Sequence, residues 1–400
     1  MTSASFTLPT QANRGAARSL TALYFASFIA LGLTTGSLGP TLPSLAEQSK
    51  SGIGAISYLF TFRSLGYVCG SVRSGKFFDK HSGNIVMGTL ILTSASASAL
   101  IPFSNSLLAL FSLMFALGVA EGGVDVGANT LLVRVHQDRV GPFMNAMHAC
   151  FGIGALTAPL IVAKVISHGA KATQTYFVLV LLLLPLAFTA FGIRSPQAVE
   201  KLSTAVTGKT VRRTLTLLVI FLFLYVGSEV GFGGWIYTYA LTTKLGTATS
   251  AAYLTSLFWG ALTAGRIVLI PLTTRTKPEV IIFGSLTGAV LSLLTMLQPA
   301  QSFMLLSIAT IALGFSIASI FPATLSFASK RMNLTGRVTG WFVVGASLGS
   351  TLLPLLTGKL IISIGPSATI LIPLVALTLA SGLFVVVTFP TKQQSRSSQK

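Results

Sequence analysis

Charged residues are scarce in this sequence. Asp, Glu, Lys and Arg together make up 9% of the 400 residues, whereas about a quarter of the residues in an ordinary soluble domain are charged. Hydrophobic residues make up 52% of the chain. This composition excludes a water-soluble globular fold and predicts a membrane protein that crosses the bilayer many times.

Acidic residues are the scarcest, because 8 of them stand against 27 Lys and Arg and the formal net charge is +19. In a soluble protein, such an excess would suggest a nucleic-acid partner. Here no basic stretch alternates with aromatic residues, and most basic residues lie between the hydrophobic segments. We interpret the charge as a signal of membrane orientation and predict no nucleic-acid partner.

Cysteine and histidine are also few. Both cysteines, Cys69 and Cys150, lie in apolar stretches, which argues against a disulfide framework and a cysteine-based metal site. The four histidines are scattered along the chain, at His81, His136, His148 and His168. No Gly-x4-Gly-Lys-Ser/Thr loop for ATP occurs. The sequence therefore predicts no enzyme, no metal and no cofactor.

Long hydrophobic runs dominate what is present. An α-helix needs about 20 apolar residues to cross the hydrocarbon core of a bilayer, and its backbone must be hydrogen-bonded within the helix. Twelve segments meet this requirement, at residues 21–45, 53–74, 85–102, 107–133, 143–166, 173–193, 213–242, 248–272, 279–298, 302–327, 338–362 and 366–389. The sequence predicts an all-α membrane protein with 12 transmembrane helices.

The distribution of basic residues predicts how these helices are oriented. Lys and Arg are concentrated at both termini and in the connections that follow even-numbered segments, including Arg212, Arg213, Lys330 and Arg331. Cytoplasmic loops carry such an excess, so we expect a cell-membrane protein with both termini in the cytoplasm. The expected divisions are a tail at 1–20, a six-helix bundle at 21–193, a linker at 194–212, a second bundle at 213–389 and a tail at 390–400.

The two halves of the sequence resemble each other at a constant offset of 195 residues. Gly32 and Gly39 align with Gly227 and Gly234, and further Gly, Pro and Tyr matches keep the same register. Such a repeat predicts two pseudo-symmetric six-helix bundles with a central cavity that opens to one side at a time. In the first helix of each half, Gly39 and Gly234 mark points where bending would open or close a gate.

Three of the few acids, Glu121, Asp125 and Glu229, lie inside hydrophobic segments, where ionisable residues are costly and are candidates for function. Arg63 is the strong base at a similar depth. One interpretation is that Arg63 merely neutralises a buried acid. The other is that Arg63 holds one carboxylate while a second gains and loses a proton that couples transport. The sequence leaves open whether Asp125 or Glu121 titrates.

Polar and aromatic residues near these acids suit a sugar, whose hydroxyls bind carboxylates and amides and whose CH face packs on aromatic rings. The alternative for a Trp or Tyr near a helix end is an anchor at the membrane interface. The candidate solute-binding residues are Asn129, Asn145, His148, Glu229, Trp235, Tyr239 and Trp259.

Several motifs resemble those of a known family. Gly75, Asp79 and Lys80 are similar to the cytoplasmic signature of the major facilitator superfamily, in which the acid braces a gate, and Arg266 is a fourth gating candidate. The helix 1 run Leu-Gly-Pro-Thr-Leu-Pro-Ser-Leu-Ala at 38–46, the Arg-Ser-Leu-Gly-Tyr run at 63–67 and the Asp-Val-Gly-Ala-Asn run at 125–129 resemble its sodium-dependent glucose transporter and fucose/proton symporter types.

This resemblance implies uptake of a hexose or related sugar by alternating access, coupled to a proton or sodium gradient. It assigns the coupling acid of the fourth helix to Asp125 and its amide partner to Asn129. The first helix lacks the acid that the fucose/proton symporters use there. Glu121 and Glu229 are possible substitutes for coupling, and passive transport is also open. A drug or metabolite exporter of the same fold is the alternative, followed by a membrane sensor that does not transport. Partners would then be the solute, the coupling ion and the lipid bilayer, with the protein acting as a monomer.

Overall fold

A computed structural model of the protein describes residues 11–196, 209–269, 275–298, 302–332 and 336–389. Within these ranges every regular element is a helix and no strand occurs. The first half contains α1 (Gln11–Gln48), α2 (Tyr58–Lys80), α3 (Gly83–Leu100), α4 (Leu107–His136), α5 (Val140–Ser167) and α6 (Thr175–Gly192).

The second half repeats this pattern. It contains α7 (Lys209–Thr242), α8 (Ala248–Val268), α9 (Pro278–Thr295), α10 (Phe303–Ile317 and Ile320–Ser329, with a break between the two segments), α11 (Gly336–Ile364) and α12 (Ala368–Thr388). The predicted all-α fold of twelve helices is confirmed. Helix α1 begins earlier than the predicted residue 21, because the alanine-containing segment before it continues the helix. The predicted linker at 194–212 lies largely outside the described residues, and the division into bundles and tails stays a prediction.

By length and hydropathy alone, ten spans in the described residues could cross a membrane. The two transmembrane helices that fall outside this set are α2 and α8, which occupy the same position in the two halves. Each carries an arginine, Arg63 in α2 and Arg266 in α8. Both halves thus bring a basic charge into the protein on their second helix.

Glycine contacts show the internal repeat in three dimensions. A Cβ atom added to Gly32 of α1 would collide with the backbone of α5 at Phe151 and Ala155. A Cβ atom added to Gly227 of α7 would lie 2.7 Å from the carbonyl oxygen of Gly349 in α11. Because small residues let membrane helices approach closely, the aligned glycines produce the same helix pair in each half.

The twelve helices alternate in direction, so α1 begins and α12 ends on the same side of the protein. We call this the terminal side and the opposite side the distal side. Large buried residues form one core in each half, around Tyr24 and Phe28 in the first and around Phe258 and Phe384 in the second. Trp235 of α7 belongs to the core of the first half, so the distal part of α7 packs across the boundary between the halves.

Candidate functional site

Close packing of α2 against α4 aligns the buried charges of the first half. Cβ atoms added at Gly66 and Gly70 of α2 would collide with the backbone of α4, and those added at Gly118 and Gly122 would collide with the backbone of α2. The two helices run in the same direction with their backbones in contact. Residues on α2 therefore face residues on α4 at a fixed register. Each helical turn can form one side-chain pair between the two helices, which we call a rung.

The first rung joins Arg63 to Glu121. Arg63 Nε donates to Glu121 Oε2 at 2.8 Å, and Arg63 Nη2 donates to Glu121 Oε1 in a fork-like pair. Both side chains are buried, and Arg63 Nη2 also donates to Thr35 Oγ1 of α1 at 3.4 Å. Paired in this way, the two charges neutralise each other inside the protein.

The second rung, one helical turn further along, joins Tyr67 to Asp125. The Tyr67 hydroxyl donates to Asp125 Oδ2. The Asn129 side-chain amide donates to Asp125 Oδ1 at 2.9 Å and to the Asp125 carbonyl oxygen at 2.9 Å. Among the residues that the structure describes, Asp125 forms no salt bridge. The Asp125 carboxyl group is thus bonded by neutral hydrogen-bond donors, whereas the Glu121 carboxylate is bonded by the guanidinium cation of Arg63.

The third buried acid, Glu229 of α7, lies in the second half. Arg266 Nη2 lies 3.6 Å from Glu229 Oε1, and the Tyr225 hydroxyl donates to Glu229 Oε2. The Tyr225 hydroxyl also lies 3.3 Å from the carbonyl oxygen of Ile317 at the break in α10. Glu229 therefore belongs to a separate charge cluster, and the predicted gating residue Arg266 is part of that cluster.

The predicted solute-binding residues of α5 are exposed. Asn145 and His148 both have exposed side chains, and His148 packs edge-on against the Phe28 ring of α1 at 5.2 Å between ring centroids. His148 also interacts electrostatically with Asp125 of the first half and Arg266 of the second. Charged residues of both halves thus act on His148, and its place in the predicted central cavity stays a prediction.

The predicted aromatic residues lie elsewhere. Trp235 is fully buried, donates its indole N–H to the Pro354 carbonyl oxygen at 2.9 Å and lies 5.8 Å from the Phe60 ring. Trp259 is buried against Phe258 in the core of the second half. In this conformation the indole rings of both tryptophans are covered by protein, and contact of either ring with a solute stays a prediction.

Tyr239, the remaining aromatic candidate, lies near the distal end of α7. It lines a crevice of about 350 Å³ between the ends of α7 and α9 and the start of α12, together with Thr243 and Gln298. This crevice lies at the distal ends of helices of the second half, away from Asp125 and Glu229. A role of Tyr239 in the central cavity stays a prediction.

Of the predicted gating residues in the first half, Lys80 is exposed at the end of α2. Gly75 and Asp79 lie within α2, but the surroundings of Gly75 and of the Asp79 side chain are outside the described part of the structure. A contact that sequence reasoning missed joins the same ends, because Arg134 Nη1 of α4 donates to the Phe78 carbonyl oxygen at 3.1 Å. Gating by these residues stays a prediction.

Sequence reasoning also missed three hydrogen-bonding side chains, Thr35, Tyr67 and Tyr225, as members of the charge clusters. Tyr67 and Tyr225 each stand four residues from a predicted charged residue, Arg63 and Glu229 respectively. Residues at this spacing share a helix face, so the pattern contained the signal. No spacing could reveal Thr35, since it reaches Arg63 from a different helix.

On the distal side the two halves are in contact. Gly39 of α1 meets α7, and a Cβ atom added there would lie 2.8 Å from the Gly234 carbonyl oxygen. Ser57 packs against Gly358 of α11, and Lys359 Nζ of the same helix lies over the Tyr58 ring, 4.4 Å from its centroid. The predicted bending points of α1 and α7 thus touch each other where the halves close.

We expect Gly39→Val to disfavour this conformation, because its side chain would meet the α7 backbone. In a Cys69→Ala/Cys150→Ala background, Ser57→Cys places a reporter thiol at a buried distal position. Gly39→Val should speed the reaction of this thiol with a water-soluble maleimide by about fivefold or more in detergent, as the open population rises. Gly382→Val is the matched control, since a Cβ atom there meets nothing within 4 Å. An equal rate in both variants would contradict the assignment of this contact as the distal closure.

Comparison with known proteins agrees with this architecture. The sequence profile described as Major Facilitator Superfamily matches residues 23–354. The chain is 31% identical over 406 residues to sodium-dependent glucose transporter 1 of Danio rerio, covering 91% of this chain and 67% of that protein. It is 28% identical over 418 residues to sodium-dependent glucose transporter 1 of Homo sapiens, covering 94% of this chain and 81% of that protein.

Solved structures of low sequence identity share the fold. A crystal structure of the nucleoside transporter NupG superposes with a TM-score of 0.76 at 14% identity, covering 94% of this chain and 100% of that one. A bacterial homologue of the human lysosomal transporter Spinster superposes with a TM-score of 0.68 at 14% identity, covering 95% of this chain and 98% of that one. At this level of identity the likeness concerns the arrangement of helices alone.

Proposed function

The chain belongs to the Major Facilitator Superfamily, and from this premise we propose that it carries a hexose or related sugar across the membrane, coupled to a proton or sodium gradient. Membership makes it a membrane transporter and not an enzyme. The energy for accumulation then comes from an ion gradient, and alternating access moves the solute between the two sides.

The observation that carries the coupling proposal is the difference between the two acids of α4. Glu121 is held by the guanidinium of Arg63, whereas Asp125 is bonded by the Tyr67 hydroxyl and the Asn129 amide. A carboxyl group with neutral donors can take up a cation without breaking an ion pair. Asp125 is therefore the proposed coupling residue, with Arg63 and Glu121 holding α2 and α4 together beside it.

A sugar is the solute class that the remaining polar groups suit best. Asn145 and His148 offer hydrogen-bonding groups on α5, and Asn129 of α4 and Glu229 of α7 add an amide from the first half and a carboxylate from the second. Amide and carboxylate groups bind sugar hydroxyls. The names of the similar proteins from Danio rerio and Homo sapiens support the same solute class.

We propose that the protein lies in the cell membrane with both termini in the cytoplasm. The support is the concentration of Lys and Arg at the terminal-side connections, as cytoplasmic loops require. With this orientation the exposed side chain of His148 lies on the cytoplasmic side of the protein. The protein is proposed to work as a monomer, since each chain contains both halves that enclose the cavity.

Purified protein in liposomes provides the test of this function. Uptake of a panel of labelled hexoses is measured with an inward proton gradient, with an inward sodium gradient and with neither. We expect one hexose to accumulate about tenfold per tenfold ion gradient, if one ion moves per sugar. The opposite result, in which no hexose accumulates or exchanges under any gradient, would refute the sugar proposal. An outward-directed drug export assay on the same liposomes distinguishes the exporter alternative.

A further inference from the structure

The contact between α5 and α8 joins the two halves near the centre of the protein. A Cβ atom added at Gly260 of α8 would lie 3.0 Å from a methyl group of Leu156 in α5, and one added at Gly152 of α5 would collide with Thr263. These two contacts establish an antiparallel register. One further turn towards the terminal side brings His148 of α5 opposite Arg266 of α8.

Each helix packed around His148 presents a defined group. Helix α1 packs the uncharged Phe28 ring against it, and Asp125 of α4 and Arg266 of α8 interact with it electrostatically. Helix α4 also carries His136, whose ring stacks on Phe143 of α5 at 3.5 Å between centroids. Helix α6 has a single titratable residue, Tyr176, whose hydroxyl is hydrogen-bonded to Thr41 of α1. The imidazole therefore interacts with an acid of its own half and with a base of the other half, and its side chain is exposed.

We propose that His148 is a proton-binding residue that controls the separation of α5 and α8 at the terminal side. A protonated imidazole is attracted to Asp125 within the first half and repelled by Arg266 across the boundary. Only the repulsion acts between the halves, so a proton on His148 favours the conformation open to the terminal side. A neutral imidazole removes the repulsion and lets the terminal-side ends approach. The inference rests on the proposed function only in assuming that the halves move relative to each other.

Histidine suits this role because its imidazole ring can bind and release a proton. The Arg266 charge that it faces is only partly balanced, since Glu229 lies 3.6 Å away and also accepts a hydrogen bond from Tyr225. Asp125 in turn offsets part of the imidazolium charge. The net effect on the equilibrium between conformations should therefore be moderate, about two- to fivefold in the ratio of open to closed molecules.

Spin-label distance measurements on the protein in nanodiscs, without any solute, test this inference. Labels are attached to Ile85→Cys on α3 and Val280→Cys on α9, two exposed terminal-side positions in different halves, in the Cys69→Ala/Cys150→Ala background. Between pH 8 and pH 5.5 we expect the population with the longer distance to rise about two- to fivefold.

Variants separate His148 from other titrating groups. His148→Gln should abolish the response to pH, and His148→Lys should hold the longer distance at every pH. Arg266→Gln should reduce the response, because the opposing charge is gone. The matched control is His168→Gln, which removes an exposed histidine at the distal end of α5 that bonds to the Lys164 carbonyl oxygen; it should leave the response unchanged.

Two results would overturn the inference: a wild-type distance distribution that does not change with pH, or a full response in His148→Gln, which would assign the response to Asp125 or another group. Because no sugar is present, failure of hexose uptake leaves this measurement interpretable. Conversely, an unchanged distance distribution leaves the proposed sugar transport untouched.

Discussion

Asp125→Asn is expected to abolish gradient-driven accumulation while leaving exchange of labelled for unlabelled solute in place. The amide keeps the size of the side chain and can still accept from the Tyr67 hydroxyl, but it cannot carry the negative charge that binds a cation. With one ion per solute and a tenfold ion gradient, the accumulation ratio should fall from about ten to about one. Liposome uptake with and without the coupling gradient measures both quantities.

Glu47→Gln is the control for this prediction, because Glu47 is an exposed acid near the distal end of α1. It should accumulate solute as the unsubstituted protein does. Full accumulation by Asp125→Asn would show that another group couples transport, and Glu229→Gln would then be the next variant to measure. Loss of exchange as well as accumulation would indicate that Asp125 binds the solute or is required for folding.

Removing one member of the Arg63–Glu121 pair should have the largest effect on stability. Glu121→Leu leaves a buried guanidinium with a weak remaining donation to Thr35, and breaking such a pair costs about 3–5 kcal/mol. Replacing both members, in Arg63→Met/Glu121→Leu, leaves no buried charge at this rung and should recover most of this loss. The measured quantity is the free energy of unfolding of the purified protein in detergent.

A double variant as unstable as Glu121→Leu alone would show that the pair contributes more than mutual neutralisation. Transport by the double variant adds a second measurement. If it folds but does not accumulate solute, Arg63 and Glu121 take part in function as well as in packing. If it both folds and accumulates solute, the structural interpretation of this pair is sufficient.

The position of each acid shows how far sequence reasoning extends. The scarcity of acids singled out Glu121, Asp125 and Glu229, and the helical spacing put the first two on one face of α4. Which of them Arg63 meets depends on the register between α2 and α4. That register comes from glycine contacts between two helices, and no pattern within one helix contains it.

Trp235 illustrates the opposite case. Its neighbours in the sequence, Glu229 and the glycines after it, suggested a place beside the solute. Folding brings Pro354 and Phe60 from two other helices against the indole, so the ring helps to close the distal side in this conformation. The sequence alone could not reveal this, since both partners are distant along the chain.

The sequence by itself determined the membrane location, the helices, their number and the twofold repeat. The reason is that the hydrocarbon core of a bilayer excludes water, so each segment must form its backbone hydrogen bonds within its own apolar helix. That requirement involves only residues that are close together in the sequence. Only the tertiary structure decided which charges pair, which histidine faces the other half and which side is closed. Those properties depend on how helices pack against one another, where a shift of one turn gives every side chain a different partner.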